Sequence, residues 1–121
     1  MNKILIAEDD KILRDMLYDY LSHFNYDLTM AHDGLMAWEL WNQGSYDLLV
    51  TDINMPNMNG IELLKKIKEI KPNFPIIIIT GVHLESAETN ASDYGAEGFL
   101  IKPFRMKELV TAIDNIIPKK A

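Results

Sequence analysis

The sequence predicts an α/β domain, a parallel sheet with helices on both faces, and three observations carry that expectation. Several short apolar runs do not alternate with polar residues: Ile4-Leu5-Ile6, Leu48-Leu49-Val50 and Ile76-Ile77-Ile78-Ile79. Such runs suit strands covered on both faces, as in a parallel sheet. Between them, apolar residues recur at three- and four-residue steps, the spacing of a helix with one buried face. The two kinds of stretch alternate along the whole chain, which is the order of βα units.

The first strand is read over Lys3 to Ala7 and runs into Glu8, Asp9 and Asp10. Ile12, Leu13, Met16, Leu17, Tyr20, Leu21 and Phe24 then line one helical face. Asp10 stands where an N-cap, or a first-turn acid favoured by the helix dipole, would stand. Tyr26 to Ala31 is a second strand, more polar and therefore an edge. Asp33-Gly34 turns the chain, and Ala37, Trp38 and Trp41 make a second helical stripe that Gly44 ends. Both tryptophans are expected in the core.

The third strand, Leu48 to Thr51, stops at Asp52, and Asn54, Pro56, Asn57, Asn59 and Gly60 supply turn chemistry. Ile61, Leu64 and Ile67, with Leu63 at the margin, give a third helix whose solvated side carries Lys65, Lys66, Lys68 and Glu69. Pro72 lies just past its end. The four isoleucines after Pro75 predict a central strand that ends at Thr80-Gly81. A helix over Leu84 to Tyr94 has two alanines among its four apolar anchors, so it is expected to be loosely held. Gly95 closes it. Gly98 to Ile101 is a fifth strand, ended by Lys102-Pro103. Met106, Leu109, Val110, Ile113, Ile116 and Ile117 make the last helix, which Pro118 stops.

Right-handed crossovers leave few arrangements for five such units. The order 2-1-3-4-5 puts the polar second strand at an edge and the apolar first, third and fourth inside. This is a flavodoxin-like (βα)5 three-layer sandwich. A chain of 121 residues suffices for one domain, 1–121, with a folded core over about 3–117. Hydrophobic residues make up 48% and charged residues 25%, the balance of an ordinary globular protein. The net charge of −6 argues against direct nucleic-acid binding, which needs a basic face. The absence of cysteine excludes disulfides and thiolate metal sites. The N-terminus meets Glu8 too soon for a signal peptide, and no apolar run reaches the length of a membrane span. A cytoplasmic location without membrane contact is therefore expected.

In a parallel sheet, the residues just past each strand share one edge. Here they are Glu8 and Asp9, Asp52, Thr80 and Lys102. Three carboxylates in close range repel one another, and a hard divalent cation resolves the conflict. Oxygen ligands without His or Cys suit Mg²⁺, or Mn²⁺, rather than zinc. A cation with open positions, a carboxylate, a hydroxyl and an ammonium together suggest phosphoryl chemistry, with Asp52 as the nucleophile that becomes an acyl phosphate. Gly81, beside Thr80, would leave room for the phosphoryl group. His23, His32 and His83 are scattered and not expected to be ligands, while Met55 and Met58 are expected to pack the loop.

With these residues assembled, the chain resembles the receiver domains of two-component response regulators, CheY-like proteins, over nearly its whole length. The resemblance implies that Asp9 binds the metal directly and Glu8 through water. It further implies that Asp52 is phosphorylated and that Asn54 offers its backbone carbonyl to the metal. Thr80 and Lys102 match the residues that contact the phosphoryl group, and Phe99 takes the place of the switch aromatic. The stretch Asp52 to Gly60, with Pro56, resembles the family's loop signature, and Lys102-Pro103 matches a peptide bond that is usually cis. Glu8 replaces a more usual Asp, and Phe99 lacks the hydroxyl of a Tyr. Val82 offers no polar group to orient a hydrolytic water, which implies a long-lived aspartyl phosphate.

What the resemblance implies is a phosphoprotein switch, not an enzyme. A sensor histidine kinase or phosphotransfer protein would phosphorylate Asp52, docking near the first helix. The surface of the fourth helix, fifth strand and fifth helix would then change its affinity for a downstream effector or a C-terminal output domain, as a monomer or a phosphorylation-dependent dimer. Three rivals rank lower. A haloacid-dehalogenase-like phosphatase would place Asp-x-Asp after the first strand, whereas position 54 is Asn and there is no cap domain. A flavodoxin needs a Gly/Ser/Thr-rich phosphate loop where Glu8-Asp9-Asp10 stand. A receiver used only for docking would not need the intact site.

Overall fold

The structure is a computed structural model that describes residues 1–81 and 95–118. Five parallel strands, β1 (Asn2–Ala7), β2 (Tyr26–Ala31), β3 (Leu48–Asp52), β4 (Ile76–Thr80) and β5 (Gly98–Ile101), form one sheet in the order β2-β1-β3-β4-β5. Each strand falls where its apolar run places it. The register sets Ala7 beside Thr51, Asp52 beside Ile79, and Thr80 beside Ile101. The strand ends are therefore level along one edge.

Four helices are described: α1 (Lys11–Leu21), α2 (Gly34–Gln43), α3 (Gly60–Ile70) and α4 (Met106–Ile116). The helix expected over 84–94, with Val82 and His83, lies outside the described residues. Alternation along each strand sends successive side chains to opposite faces. Leu5, Ala7, Leu49, Ile76 and Ile78 meet Ala37, Trp41, Leu63, Leu64 and Ile67 of α2 and α3. Ile4, Ile6, Leu48, Val50, Ile77 and Ile79 meet Leu17 and Leu21 of α1 and Leu109, Val110 and Ile113 of α4. Two cores thus sandwich the sheet, and β2 is an edge, as its polarity suggests. Trp41 is buried, and Trp38 stacks on it with ring centroids 5.9 Å apart. Pro118 follows α4 and its carbonyl accepts from Asn2 Nδ2 at 2.9 Å.

Four local expectations need correction. The α1 stripe from Ile12 to Leu21 spans an arc of roughly 180° at the helical pitch. The sheet covers only one flank of that arc, burying Leu17 and Leu21, while Ile12 and Met16 remain 72% and 52% exposed and Phe24 is exposed too. Asp10 occupies the N-cap position of α1, but its side chain makes no capping bond. Asp33-Gly34 is a helix start rather than a free turn: the Asp33 side chain accepts from Met36 N, and Gly34 is the first residue of α2. In α3 the covered seam centres on Leu63, Leu64 and Ile67, so Leu63 belongs to the core and Ile61 sits at its edge. That helix starts with a capping box between Asn59 and Glu62.

Candidate functional site

The level strand ends bring Glu8, Asp9, Asp52, Thr80 and Lys102 to one edge of the sheet. Glu8, Asp52 and Thr80 are buried and Asp9 is exposed. One carboxylate oxygen from each of Glu8, Asp9 and Asp52 lies within 4.8 Å of the others. Lys102 Nζ reaches across the sheet, donating to Asp52 Oδ2 at 2.5 Å and Glu8 Oε1 at 3.1 Å. The other Asp52 oxygen accepts from the backbone N–H groups of Ile53, at 2.6 Å, and Asn54, at 3.3 Å.

Burial of Glu8 pushes its pKa up from 4.5 to about 7, with the Asp52 charge adding to the rise. The Asp10 N–H, which donates to Glu8 Oε2 at 3.1 Å, and Lys102 both oppose that rise. Burial alone would lower the pKa of Lys102, but its bonds to Asp52 and Glu8 outweigh this and raise it. A single ammonium thus serves two buried acids, while a third acid stands open to solvent. The donor set is all oxygen and suits a hard divalent cation.

The loop after β3 closes tightly. Gly60 N donates to Ile53 O at 2.8 Å, and a Cβ on Gly60 would lie 2.1 Å from Asp52 O, so only glycine permits this return. Pro56 O accepts from Met58 N at 2.8 Å within the same loop. Met58 is buried and Met55 packs against the same core, as expected. After β5, the Lys102-Pro103 peptide is cis, and Lys102 N donates to Thr80 O at 2.7 Å. A Cβ on Gly81 would only touch the stem of Lys102, at 3.8 Å. Phe99, beside Ile78 in the sheet register, is half-buried against the core shared with α2 and α3.

Three residues that hold this site escaped the sequence reading. Arg14 Nη1, from the first turn of α1, donates to Glu8 O at 2.9 Å and Asp9 O at 3.3 Å, which pins the acidic turn. Asp33 Oδ2 accepts from Asn57 Nδ2 at 2.9 Å, tying the start of α2 to the loop after β3. Arg14 targets carbonyls, which leave no signature in a sequence. The Asp33–Asn57 pair spans 24 positions, and each residue alone reads as a turn former.

Among the described residues no helix is long and apolar enough to cross a membrane. The family profile of the response regulator receiver domain matches residues 4–114. Response regulator ArlR of Staphylococcus saprophyticus is 37% identical over 99% of this chain and 54% of its own length. The DNA-binding transcriptional regulator NtrC of a Bradyrhizobium species is 36% identical over 94% of this chain and 24% of its own. The chain therefore spans between a quarter and about half of these relatives. Among solved structures, a Francisella response regulator receiver domain superposes with a TM-score of 0.90 at 31% identity, covering 96% of each chain. The Vibrio cholerae chemotaxis protein CheY4 gives 0.89 at 27% identity over 97% of this chain and 99% of its own. The matched profile, the shared backbone and the acids and lysine at the sheet edge agree, and the chain belongs to the response regulator receiver domain family of two-component signal transduction.

Proposed function

We propose that Asp52 is the phosphoacceptor of this receiver domain and that Glu8, Asp9, Asp52 and the Asn54 carbonyl hold the Mg²⁺, or Mn²⁺, that the reaction needs. The observation that carries this reading is Lys102 bridging Asp52 and Glu8 with Asp9 in reach. A buried acid is held there by one ammonium, beside the ligands for a second cation. A solved relative, the Thermotoga maritima response regulator TrrA, is described in complex with Mg²⁺ and BeF, at 27% identity and a TM-score of 0.87.

The donor is phosphohistidine of a sensor histidine kinase or phosphotransfer protein. An Asp52 oxygen attacks phosphorus, a P–O bond forms, and the P–N bond breaks. The imidazole leaves with the bonding pair and takes a proton from solvent. When bound, Mg²⁺ supplies charge neutralisation for the phosphoryl oxygens. Lys102 exchanges its Asp52 bond for a phosphoryl oxygen, and the Thr80 hydroxyl at the end of β4 donates to another. Gly81 leaves that approach uncrowded. Phe99 follows Thr80 inward, and the face around β5 and α4 changes its affinity for an effector protein or a C-terminal output domain. The domain is thus a stoichiometric, cytoplasmic switch, monomeric or dimerising on phosphorylation, and not a turnover catalyst. The exposed Ile12 and Met16 flank of α1, near the acids, suits the approach of the donor protein.

Intact-mass spectrometry with Mg²⁺ and acetyl phosphate tests this. Wild type is expected to gain one phosphoryl group, and neither Asp52→Asn nor a chelated sample should do so. Absence of an adduct, together with failure to form a beryllofluoride complex, would leave a docking module and reject the phosphoacceptor role.

A further inference from the structure

The loop from Ile53 to Asn59 is fastened to a part of the fold that takes no part in the site. Asp33 is buried and divides its two oxygens. Oδ1 accepts from Met36 N at 2.7 Å and caps α2, while Oδ2 accepts from Asn57 Nδ2 at 2.9 Å. Exposed His32 places Nδ1 3.4 Å from that second oxygen. Next door, Gly34 lies against the loop backbone so closely that a Cβ there would sit 1.8 Å from Met58 O. Asn57 has a φ of +71°, a conformation that glycine would adopt more easily. The positive φ favours glycine or asparagine; what asparagine adds over glycine is the side-chain bond to Asp33.

Three residues upstream of Asn57 is Asn54, whose N–H donates to Asp52 Oδ1. The same stretch of backbone would present the Asn54 carbonyl to a cation. We infer that the Asp33–Asn57 pair is a clasp that sets this loop for metal binding, with Asp33 a positioning residue acting through Asn57. The inference rests on the metal site proposed above. Hydrogen bonds behind a metal ligand set its orientation and thereby its affinity.

Two variants cut the clasp while sparing the local fold. Asn57→Gly keeps the positive φ and removes the amide. Asp33→Ser keeps an N-cap but is too short to reach Asn57. Mg²⁺ affinity is read by titration calorimetry, with metal-free melting temperature as the control for folding. Each variant is expected to weaken Mg²⁺ binding roughly three- to tenfold, the scale of one lost hydrogen bond behind the ligand. The double variant should lose no more than either single, because both remove one bond. Unchanged affinity in Asn57→Gly, or additive losses in the double variant, would overturn the clasp. If Asp33→Ser fails to fold, Asn57→Gly alone decides. Wild-type protein that binds no Mg²⁺, or binds it as well after Asp52→Asn, would overturn the metal site and the clasp together. Wild-type binding that depends on Asp52 but ignores Asn57 would overturn the clasp alone.

Discussion

Lys102 holds two buried acids apart by sitting between them. Its removal leaves Glu8 and Asp52 facing each other without a counter-charge. Lys102→Met is expected to destabilise the metal-free protein by about 1–3 kcal/mol at neutral pH, less than a fully buried pair would cost because the ammonium is partly solvated. Added Mg²⁺ should restore more stability in that variant than in wild type, since no ammonium competes for the carboxylates. Urea unfolding with and without Mg²⁺ checks both. Asp33 gives a second outcome. The Met36 N–H, and to a lesser degree Asn57 and His32, hold its carboxyl below the usual 3.8. Its stabilisation is therefore present above that value and lost as pH falls through the lower folded value. Asp33→Asn is expected to be less stable than wild type at neutral pH, and the gap should close as the pH falls below 3.8, followed by urea midpoints. The acids and Lys102 are legible from sequence because each follows a recognisable strand, and parallel strands share an edge. Arg14, Asp33 and Asn57 are not, because their partners are backbone carbonyls or residues remote in sequence.

Among elements, the strands are read nearly to the residue because the apolar runs of β1, β3 and β4 are too short for helices and end at charged or turn residues. Helices are read less well where amphipathic width and burial part company. On α1, Leu17→Ala is expected to cost about 2–5 kcal/mol, whereas Ile12→Ser should change stability by no more than about 0.5 kcal/mol. Equilibrium denaturation separates these outcomes, and equal losses would contradict the observed orientation of the helix. Asp33-Gly34 reads as a turn because the same two residues serve turns and helix starts; the distinction lies in Met58, packed against Gly34 from a distant loop. A Gly34→Ala variant must move that carbonyl, and a large drop in melting temperature is expected.

Across the whole molecule, the end of the sheet away from the acids has its own polar fastenings. Asn2 bonds the Pro118 carbonyl, Lys3 N bonds Asp47, and the Tyr26 hydroxyl bonds Asp114 at 3.0 Å. Two apolar cores between the ends carry most of the cohesion, so neutralising one acid at the charged edge is a small perturbation. Asp52→Asn should accordingly fold like wild type and melt within about 5 °C of it while losing phosphoryl acceptance, as thermal denaturation monitored by circular dichroism would show. The sheet order and both cores are legible because burial, period and crossover handedness agree.

The loop that leaves Asp52 is pinned where it departs, where it crosses α2 and where it re-enters at Gly60. A chain segment held at both ends and the middle has a fixed length as well as a fixed path. Its composition can drift at the exposed positions, but one residue added or removed would put every anchor out of step at once. Insertions and deletions, rather than substitutions, are the changes this segment cannot absorb.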